Sequence, residues 1–308
     1  MRCLITGASG FVGHHLIEHL KAQGDEIVAC VFPHPADQTS VETVELDVAD
    51  GVACAKIISH YKPEVIYHLA AMAFVPEAED SFEKTLRVNV LGTNNILRVA
   101  HLLQNNISVL LVSSAEVYGR ILPKELPLTE ETEVRPANNY SLSKAMAELA
   151  VARYTRAGFV RAVTVRPFNH IGPGQNQRFV ASSFAHQLAM IAKKKAPPII
   201  RVGNLEAKRD FSDVRDIVKA YRLAVTKGSG IYNLGAGKAV SVQYLLDTLI
   251  DIAKLDVRVE QDPARMRPAE VPVIYGDCSK ARSELGWEAT RDISETLKDV
   301  YHYWLDRI

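Results

Sequence analysis

The sequence predicts an α/β fold, a doubly wound parallel sheet with a smaller C-terminal substrate lobe. In the first half, short apolar and β-branched runs alternate with helical stretches. Runs that are apolar on both faces are typical of a parallel sheet covered by helices on both sides. After about Pro167 this alternation stops and loops rich in Gly, Pro and Asn appear. The change of rhythm indicates where the second lobe begins.

Each predicted element rests on its own pattern. The strands are short runs rich in Val, Ile and Leu, at 2–6, 26–32, 43–48, 65–70, 108–114 and 161–167. Between them the helical spacing of apolar residues predicts helices at roughly 11–23, 52–61, 81–105 and 141–157. In the second half we expect a helix, a strand, a short β piece and a helix, near 178–194, 199–202, 230–235 and 241–253. We therefore expect a first domain over 1–167, with segments of about 208–236 returning to it, and a lobe formed by 168–207 and 237–308.

Composition excludes several classes of protein. The 308 residues are 47% hydrophobic and 23% charged, as in an ordinary globular protein. Lys plus Arg and Asp plus Glu both total 36, so no summed field favours nucleic acid or an anionic membrane, and we expect neither as a partner. The N-terminus reaches a turn signal after a few apolar residues, and no apolar run is long enough to span a membrane, which predicts a cytoplasmic protein. The four cysteines are scattered and are expected to be reduced and buried.

A glycine-rich turn follows the first strand directly and opens the first helix. Gly7, Gly10 and Gly13 are spaced G-x-x-G-x-x-G. Glycine allows a sharp turn and a close approach to a pyrophosphate, and the helix N-terminus offers N–H groups to the phosphates. The pattern predicts dinucleotide binding by residues of this turn, namely Gly7, Ser9, Gly10, Phe11, Val12 and Gly13. The first domain is thus expected to be Rossmann-like.

The choice between NAD and NADP stays open. The usual NAD pattern has an acidic residue at the end of the second strand, but Val28–His34 contains neither an acid nor an arginine. His34 is a candidate for a 2′-phosphate neighbour, although a solvated loop histidine explains it more simply. Asp47, with Val48, is a candidate for the adenine edge.

One metal-like pattern occurs in the first helix. His15, Glu18 and His19 fit H-x-x-E-H, which is found in some zinc proteases. Leu16, Ile17 and Leu20 must face the sheet, so the histidines are expected to be solvated. We predict no metal site.

Two segments carry the predicted acid/base chemistry. Tyr140 and Lys144 lie four positions apart in a predicted helix, so their side chains share a face. A nearby ammonium favours phenolate, and we expect Lys144 to lower the pKa of Tyr140 from about 10. Ser113 and Ser114 end an apolar strand, at the edge where parallel sheets bind ligands. The simpler alternative is that these serines only terminate a buried strand.

Taken together, these motifs resemble the extended short-chain dehydrogenase/reductase family, whose members epimerise, dehydrate or reduce nucleotide sugars. The residues that carry the resemblance cover essentially the whole chain: the glycine turn, His68-Leu69-Ala70-Ala71, Asn89, Ser113-Ser114, Tyr140-x-x-x-Lys144 and Arg166-Pro167-Phe168-Asn169. The resemblance implies NADPH or NADH as cofactor. It also implies a homodimer formed through two long helices, here about 85–105 and 141–157.

The resemblance also implies roles for single residues. Tyr140 would be the acid/base, Lys144 would bind the nicotinamide ribose and tune Tyr140, and Ser114 would hold the reacting oxygen. Asn169 would contact the substrate and the cofactor. Further cofactor contacts would come from Leu69, Ala70, Ala71, Asn89, Ser113 and Pro167.

Segments of the second half narrow the substrate. Arg209 and Arg267 are suited to clamp a diphosphate bidentately, and Glu270 or Asn204 could contact a base or a ribose hydroxyl. Arginines at the surface with no ligand are the alternative. The segments 168–175, 202–211 and 262–270 resemble family members that reduce GDP-4-keto-6-deoxy-D-mannose at C4 to GDP-D-rhamnose. A GDP-linked 4-keto-6-deoxy sugar is therefore the expected substrate.

Other activities stay open at this point. Glu116 occupies the position where sugar 4,6-dehydratases keep the base for C5, whereas Ala115 stands where dTDP-glucose dehydratases have an aspartate. A GDP-mannose 4,6-dehydratase, a nucleotide-sugar 4-epimerase and a non-catalytic dinucleotide sensor are the alternatives. Glu116 is thus a candidate for both catalysis and substrate binding.

Overall fold

A computed structural model describes residues 1–33, 41–103, 107–266 and 271–308. The strands, in chain order, are β1 Arg2–Thr6, β2 Glu26–Val31, β3 Glu42–Glu45, β4 Val65–His68, β5 Ser108–Val112, β6 Arg161–Pro167, β7 Asn169–Ile171, β8 Ile199–Val202, β9 Lys208–Asp213, β10 Gly230–Leu234, β11 Ala239–Ser241, β12 Arg258–Gln261 and β13 Val273–Ile274. The α-helices are α1 Phe11–Ala22, α2 Gly51–Tyr61, α3 Val75–Asp80, α4 Phe82–Leu86, α5 Gly92–Leu103, α6 Asn139–Arg156, α7 Val180–Ala192, α8 Val214–Lys227, α9 Val242–Ala253 and α10 Ile293–Leu305.

Seven parallel strands form the large sheet, in the order β10-β6-β5-β4-β1-β2-β3. The order reverses between β1 and β4, so connections leave these two neighbours in opposite directions. In an open parallel sheet, ligands bind at such a switch point, beyond the carboxyl ends of the strands. The fold prediction of a doubly wound parallel sheet is confirmed.

The core has one layer on each face of this sheet, because successive residues of a buried strand point to opposite sides. Cys3 and Ile5 of β1 pack with helices α1 and α8, while Leu4 between them packs with α2, α5 and α6. Apolar residues on both faces are the reason that these strands read as continuous hydrophobic runs.

The second lobe has its own core and two small sheets. Helices α7, α9 and α10 enclose an apolar cluster that includes Phe184, Leu246 and Leu297. Strand β9 pairs with β7, β11 and β13, and β12 pairs with β8. Of the segment 208–236 that we expected to return to the first domain, β10 joins the large sheet and α8 packs against it. Lys208–Asp213 instead lies in the small sheet, where its polar residues reach the edge of the first domain.

Most predicted elements are present, with two kinds of difference. All six predicted strands of the first half occur within a few residues of the expected bounds. The long helix expected over 81–105 is divided into α4, a π-helical turn at Arg87–Leu91, and α5. Helices α8 and α10 were not predicted, although both bury one apolar face.

The cysteines and the helices agree with the remaining expectations from composition. Cys3, Cys30, Cys54 and Cys278 are free and buried, and burial raises the pKa of each thiol to about 12. Among the helices of the described ranges, none combines the length and the apolar character that crossing a bilayer requires.

Candidate active site

Two positions of the segment that joins β1 to α1 leave no room for a side chain, Gly7 in the turn and Gly13 in the helix. Gly7 has a φ of +69°, and a Cβ there would lie 2.7 Å from the backbone nitrogen of Ala70. A Cβ on Gly13 would lie 2.4 Å from the carbonyl oxygen of Ala8. The turn is therefore pressed against the loop after β4, and α1 is pressed against the turn.

The first turn of α1 has the features of an anion site. Gly10 precedes the helix without a side-chain cap, and the first turn contains no acidic residue. The exposed N–H groups and the positive end of the helix dipole therefore suit a phosphate. Phe11 stacks on His170 of the second lobe, with ring centroids 6.2 Å apart. These residues fit the pyrophosphate of a dinucleotide.

A buried polar network fixes the loop after β4. The Nδ1 of His68 is 2.8 Å from Thr6 Oγ1, and its Nε2 is 3.0 Å from Thr93 Oγ1. Thr93 donates its own proton to the carbonyl of Asn89, so we assign His68 as the neutral tautomer that donates from Nε2. Burial, with a smaller contribution from Lys144, lowers the pKa of His68 to about 3. The loop therefore lies on an uncharged, fully bonded support.

Asn89 joins that loop to the helix that carries the acid/base residues. Its Oδ1 accepts from the backbone nitrogen of Met72 at 2.8 Å, and its Nδ2 donates to Met72 O at 3.3 Å and to Ser143 Oγ at 2.9 Å. Asn89 lies in the π-helical turn Arg87–Leu91, a feature that is often found at functional sites. The amide thus joins the loop after β4 to α6.

The structure places the adenine-edge candidates beyond the end of β3. The Oδ1 of Asp47 accepts from the backbone nitrogen of Ala49, and Val48 is buried against the position of Gly92. His34 lies outside the described residues.

The histidines of the metal-like pattern differ from the expectation. His15 is not simply solvated, because its Nε2 lies 2.8 Å from the carbonyl oxygen of Pro173 in the second lobe. Glu18 is exposed and pairs with Lys21. Within the described ranges no group of three or more His, Cys, Asp or Glu side chains is arranged to hold a metal.

Tyr140 is positioned by the cap of α6. Asn138 precedes the helix, and its side chain accepts from the backbone nitrogen of Ser141 at 2.8 Å, while Ser141 Oγ accepts from the nitrogen of Asn138. This reciprocal capping box fixes the first turn, which contains Tyr140. Lys144 follows one turn later on the same buried face.

The pKa values of the pair differ from the expectation. Lys144 Nζ donates to the carbonyl of Val112 at 2.7 Å and lies 5.9 Å from the centroid of the Tyr140 ring. Burial raises the pKa of Tyr140 to about 12, against a hydrogen bond from Ser114, and it lowers the pKa of Lys144 to about 8. The pKa of Tyr140 thus lies above its ordinary value of about 10, and not below it as expected, because burial of the phenol outweighs the interactions that lower the pKa. Tyr140 is a protonated acid at neutral pH.

Ser114, Glu116 and Arg209 complete the polar groups at this edge. Ser114 lies two residues after Val112, the last residue of β5. Its Oγ accepts from the backbone nitrogen of Glu116. The side chain of Glu116 is exposed, yet partial desolvation by the surrounding protein raises the pKa of its carboxyl. The charge of Arg209 and a hydrogen bond with Asn138 act in the opposite direction. Arg209, on β9, donates to the carbonyl oxygens of Lys208 and Pro272. The small sheet thus brings a guanidinium to the acid/base residues.

The remaining predicted cofactor and substrate residues lie in the second half of the chain. Pro167 ends β6 and is buried, and Asn169 begins β7 and is exposed. Asn204 lies in the loop after β8, where its Oδ1 accepts from the backbone nitrogen of Glu206. Arg267 and Glu270 lie outside the described residues.

The sequence patterns did not single out Glu148, whose carboxylate joins Ser113 to Arg166. Ser113 Oγ donates to Glu148 Oε1 at 2.5 Å, and Arg166 forms a bidentate pair with the same carboxylate. The position of Glu148, eight residues after Tyr140 on the same helix face, was the available signal.

Comparisons with known proteins identify the family of this chain. The family model described as GDP-mannose 4,6 dehydratase matches residues 4–300. Among curated relatives, the chain is 33% identical to a GDP-6-deoxy-D-mannose reductase of Pseudomonas aeruginosa, covering 100% of this chain and 98% of the relative. It is 31% identical to a GDP-6-deoxy-D-talose 4-dehydrogenase of Aggregatibacter actinomycetemcomitans, covering 93% and 92%.

Solved structures give the same answer. The structure of RMD from Pseudomonas aeruginosa complexed with NADPH has a TM-score of 0.89 and 30% identity, over 100% of this chain and 99% of that chain. The UDP-glucose 4-epimerase of Thermotoga maritima with UDP-glucose has a TM-score of 0.90 and 25% identity, over 100% and 99%. Because the family model and these relatives span nearly the whole chain, the protein belongs to the extended short-chain dehydrogenase/reductase family, in the group that the GDP-mannose 4,6 dehydratase model describes.

Proposed function

We propose that this protein uses NADPH or NADH to reduce the C4 keto group of GDP-4-keto-6-deoxy-D-mannose, with GDP-D-rhamnose as product. The observation that carries the proposal is the placement of Tyr140 and Lys144 on one buried face of α6, where Lys144 bonds to the carboxyl end of β5 and Ser114 is close enough to lower the pKa of Tyr140. A protonated phenol is the form needed to deliver a proton to a nascent alkoxide. Two curated relatives that act on GDP-6-deoxy sugars, as their names state, support the substrate class.

The proposed roles follow from the contacts. A reduced nicotinamide, when bound, supplies the hydride. Tyr140 donates its proton to the C4 oxygen, and Ser114 donates a hydrogen bond to the same oxygen as negative charge develops there. Lys144, charged below its pKa of about 8, holds a ribose hydroxyl and favours the phenolate that remains after proton transfer.

The second lobe supplies the substrate contacts in this proposal. Arg209 lies partly buried next to Glu116 and can direct its planar donors at a diphosphate. In this proposal Asn169, at the start of β7, and Asn204, after β8, make further contacts to the substrate. We propose the turn formed by Gly7, Gly10 and Gly13 as the site of the cofactor pyrophosphate.

The test mixes the protein with GDP-4-keto-6-deoxy-D-mannose and NADPH or NADH, and follows absorbance at the nicotinamide band. Stoichiometric oxidation of the cofactor is the expected result. A dehydratase or an epimerase recycles its cofactor, and a sensor only binds it, so the absence of net oxidation would contradict the proposal. NMR of the product at C4 then separates a rhamnose from a talose configuration.

We also propose a homodimer formed through α6 and its neighbour α5, together with the π-helical turn that precedes α5. Leu142, Met146 and Leu149 form an exposed stripe on α6, and Leu91 and Leu102 are exposed on the packed neighbour. Apolar residues at such helical spacing and exposure are typical of a surface that associates. Leu149→Glu should shift the mass measured by sedimentation from dimer to monomer, whereas exposed Val52→Glu on α2 should not. A wild-type monomer at micromolar concentration would overturn the dimer.

A further inference from the structure

We propose that Glu148 and Arg166 form a buried positioning pair that sets the charge of Lys144. The inference deepens the proposed function and rests on it, since Lys144 acts there as a cation. Neither Glu148 nor Arg166 reaches the crevice itself, because both are almost fully buried behind the strand ends. They would act only through Lys144.

The geometry couples the pair to Lys144 through Val112, the last residue of β5, and Ser113, which follows it. Lys144 Nζ donates to the carbonyl of Val112 at 2.7 Å, and the next residue, Ser113, donates from Oγ to Glu148 Oε1 at 2.5 Å. Glu148 also follows Lys144 by one turn of α6, so the two side chains share a face. The carboxylate and the ammonium are thus held at neighbouring positions of one strand end.

Arg166 in turn holds the carboxylate in place and offsets its charge. Its Nε donates to Glu148 Oε1 at 3.0 Å and its Nη2 to Oε2 at 2.7 Å. Its Nη1 donates to Tyr118 Oη at 3.0 Å and to the carbonyl of Glu130 at 3.2 Å. The backbone N–H of Ser113 also donates to the carbonyl oxygen of Val165, the residue before Arg166. The pair is fixed from three segments of the chain.

The charges around Lys144 oppose one another. Burial lowers the pKa of Lys144 to about 8, and Glu148 raises it. The other titratable groups that face Lys144 or its partners are Tyr140 on the same helix, neutral His68 after β4, Glu116 through Tyr140, and Arg166 behind Glu148. A change in the balance of Glu148 and Arg166 therefore moves the pH at which Lys144 loses its proton.

Two substitutions that break the same ion pair should have opposite effects. Glu148→Gln leaves Arg166 unbalanced, so the pKa of Lys144 should fall; Arg166→Met leaves Glu148 unbalanced, so it should rise. Each shift should be on the order of one pH unit, as for a single added charge nearby. A pair that only stabilises the fold would give no opposed shifts, because both variants lose the same contacts.

The experiment has two readouts. In the first, protein with ¹³C-labelled lysine side chains and without substrate is titrated by NMR, and the Lys144 signal is assigned by its loss in Lys144→Met. In the second, the alkaline limb of kcat/KM against pH is measured for NADPH oxidation with the keto sugar. Opposed shifts in both readouts are the expected result.

The double variant Glu148→Gln/Arg166→Met guards against unfolding of the single variants, because removing both charges leaves no unpaired buried ion. Its Lys144 titration should return to within a few tenths of a pH unit of the wild type. Shifts in one direction only, or none in the NMR titration of folded variants, would overturn the inference. If the wild type instead fails to oxidise NADPH, the proposed function fails while the NMR titration still tests the pair.

Discussion

The two walls of the crevice are held in different ways. On the wall formed by the large sheet, contacts join residues far apart in the chain, as in the bonds from Thr6 to His68 and from Asn89 to Ser143. Those bonds are buried and join one side chain to another, whereas on the wall formed by the second lobe the side chains of Arg209 and Asn204 make exposed bonds to backbone groups, of Lys208, Pro272 and Glu206. The difference suggests a division of labour: preorganised acid/base groups on one wall, and substrate contacts that vary with loop structure on the other.

Loss of the acid on the preorganised wall should have the largest effect. Tyr140→Phe removes the proton donor and should lower kcat by about 10²- to 10⁴-fold, with cofactor affinity little changed. Steady-state kinetics and cofactor titration measure both quantities, with exposed Tyr244→Phe as the matched control. Full activity of Tyr140→Phe would remove this residue from the mechanism.

Loss of charge on the substrate wall should have an intermediate effect. Arg209→Met removes a charge-assisted contact worth about 1.5–3 kcal/mol, so kcat/KM should fall about 10- to 100-fold. The melting temperature should change little, since the lost bonds are exposed to solvent. Arg201→Met, an exposed arginine on β8, is the control. Equal losses in both variants would show a nonspecific effect of surface charge.

Removal of the bridge between the loop and α6 should appear mainly as lost stability. Asn89→Ala leaves Met72 and Ser143 with unpaired polar groups, at a cost of about 2–3 kcal/mol in the free energy of unfolding. The control is Asn95→Ala in α5. It loses a buried bond to the carbonyl of Val48 and should destabilise the protein too. Only Asn89→Ala should also weaken cofactor binding. Equal cofactor affinities would break the proposed link between the bridge and the site.

The buried neutral His68, which supports the loop after β4, should make the folded protein less stable in acid. His68 in the unfolded chain gains a proton below about pH 6.5, whereas in the folded protein its pKa is about 3. Stability should therefore fall as the pH drops through this window, by about 1.4 kcal/mol per pH unit from this residue, or on the order of 2 kcal/mol by pH 5. Urea unfolding at pH 7 and pH 5 measures the fall. His68→Gln should show a correspondingly smaller one, and an equal fall would exclude His68 as the cause.

The large sheet is built from repeated strand–helix units, and the sequence patterns predict its elements well. The glycine turn, the strand that ends at Ser113 and the helix that starts near Tyr140 all follow the alternation of strand and helix. Parallel pairing then places their ends at one edge. The family resemblance supplied the individual roles of these residues, which remain predictions.

The parts that were missed depend on tertiary contacts. The π-helical turn around Asn89 interrupts a helix whose local pattern is continuous. Strands β7 and β13 are very short and β9 is mostly polar, and they exist because β7 and β13 both pair with β9. The pKa of Tyr140 could not be obtained from the spacing to Lys144, because burial, which no local pattern specifies, outweighs the charge.

The last strand of the large sheet is contributed late in the chain. Strand β10 covers the outer edge of β6 after the chain has already passed through part of the second lobe. A fragment that stops at Pro167 would leave an apolar edge open to pairing between molecules, and it would tend to aggregate. The same shared strand ties both lobes into one cooperative unit, so heat should melt them together in a single transition rather than in two.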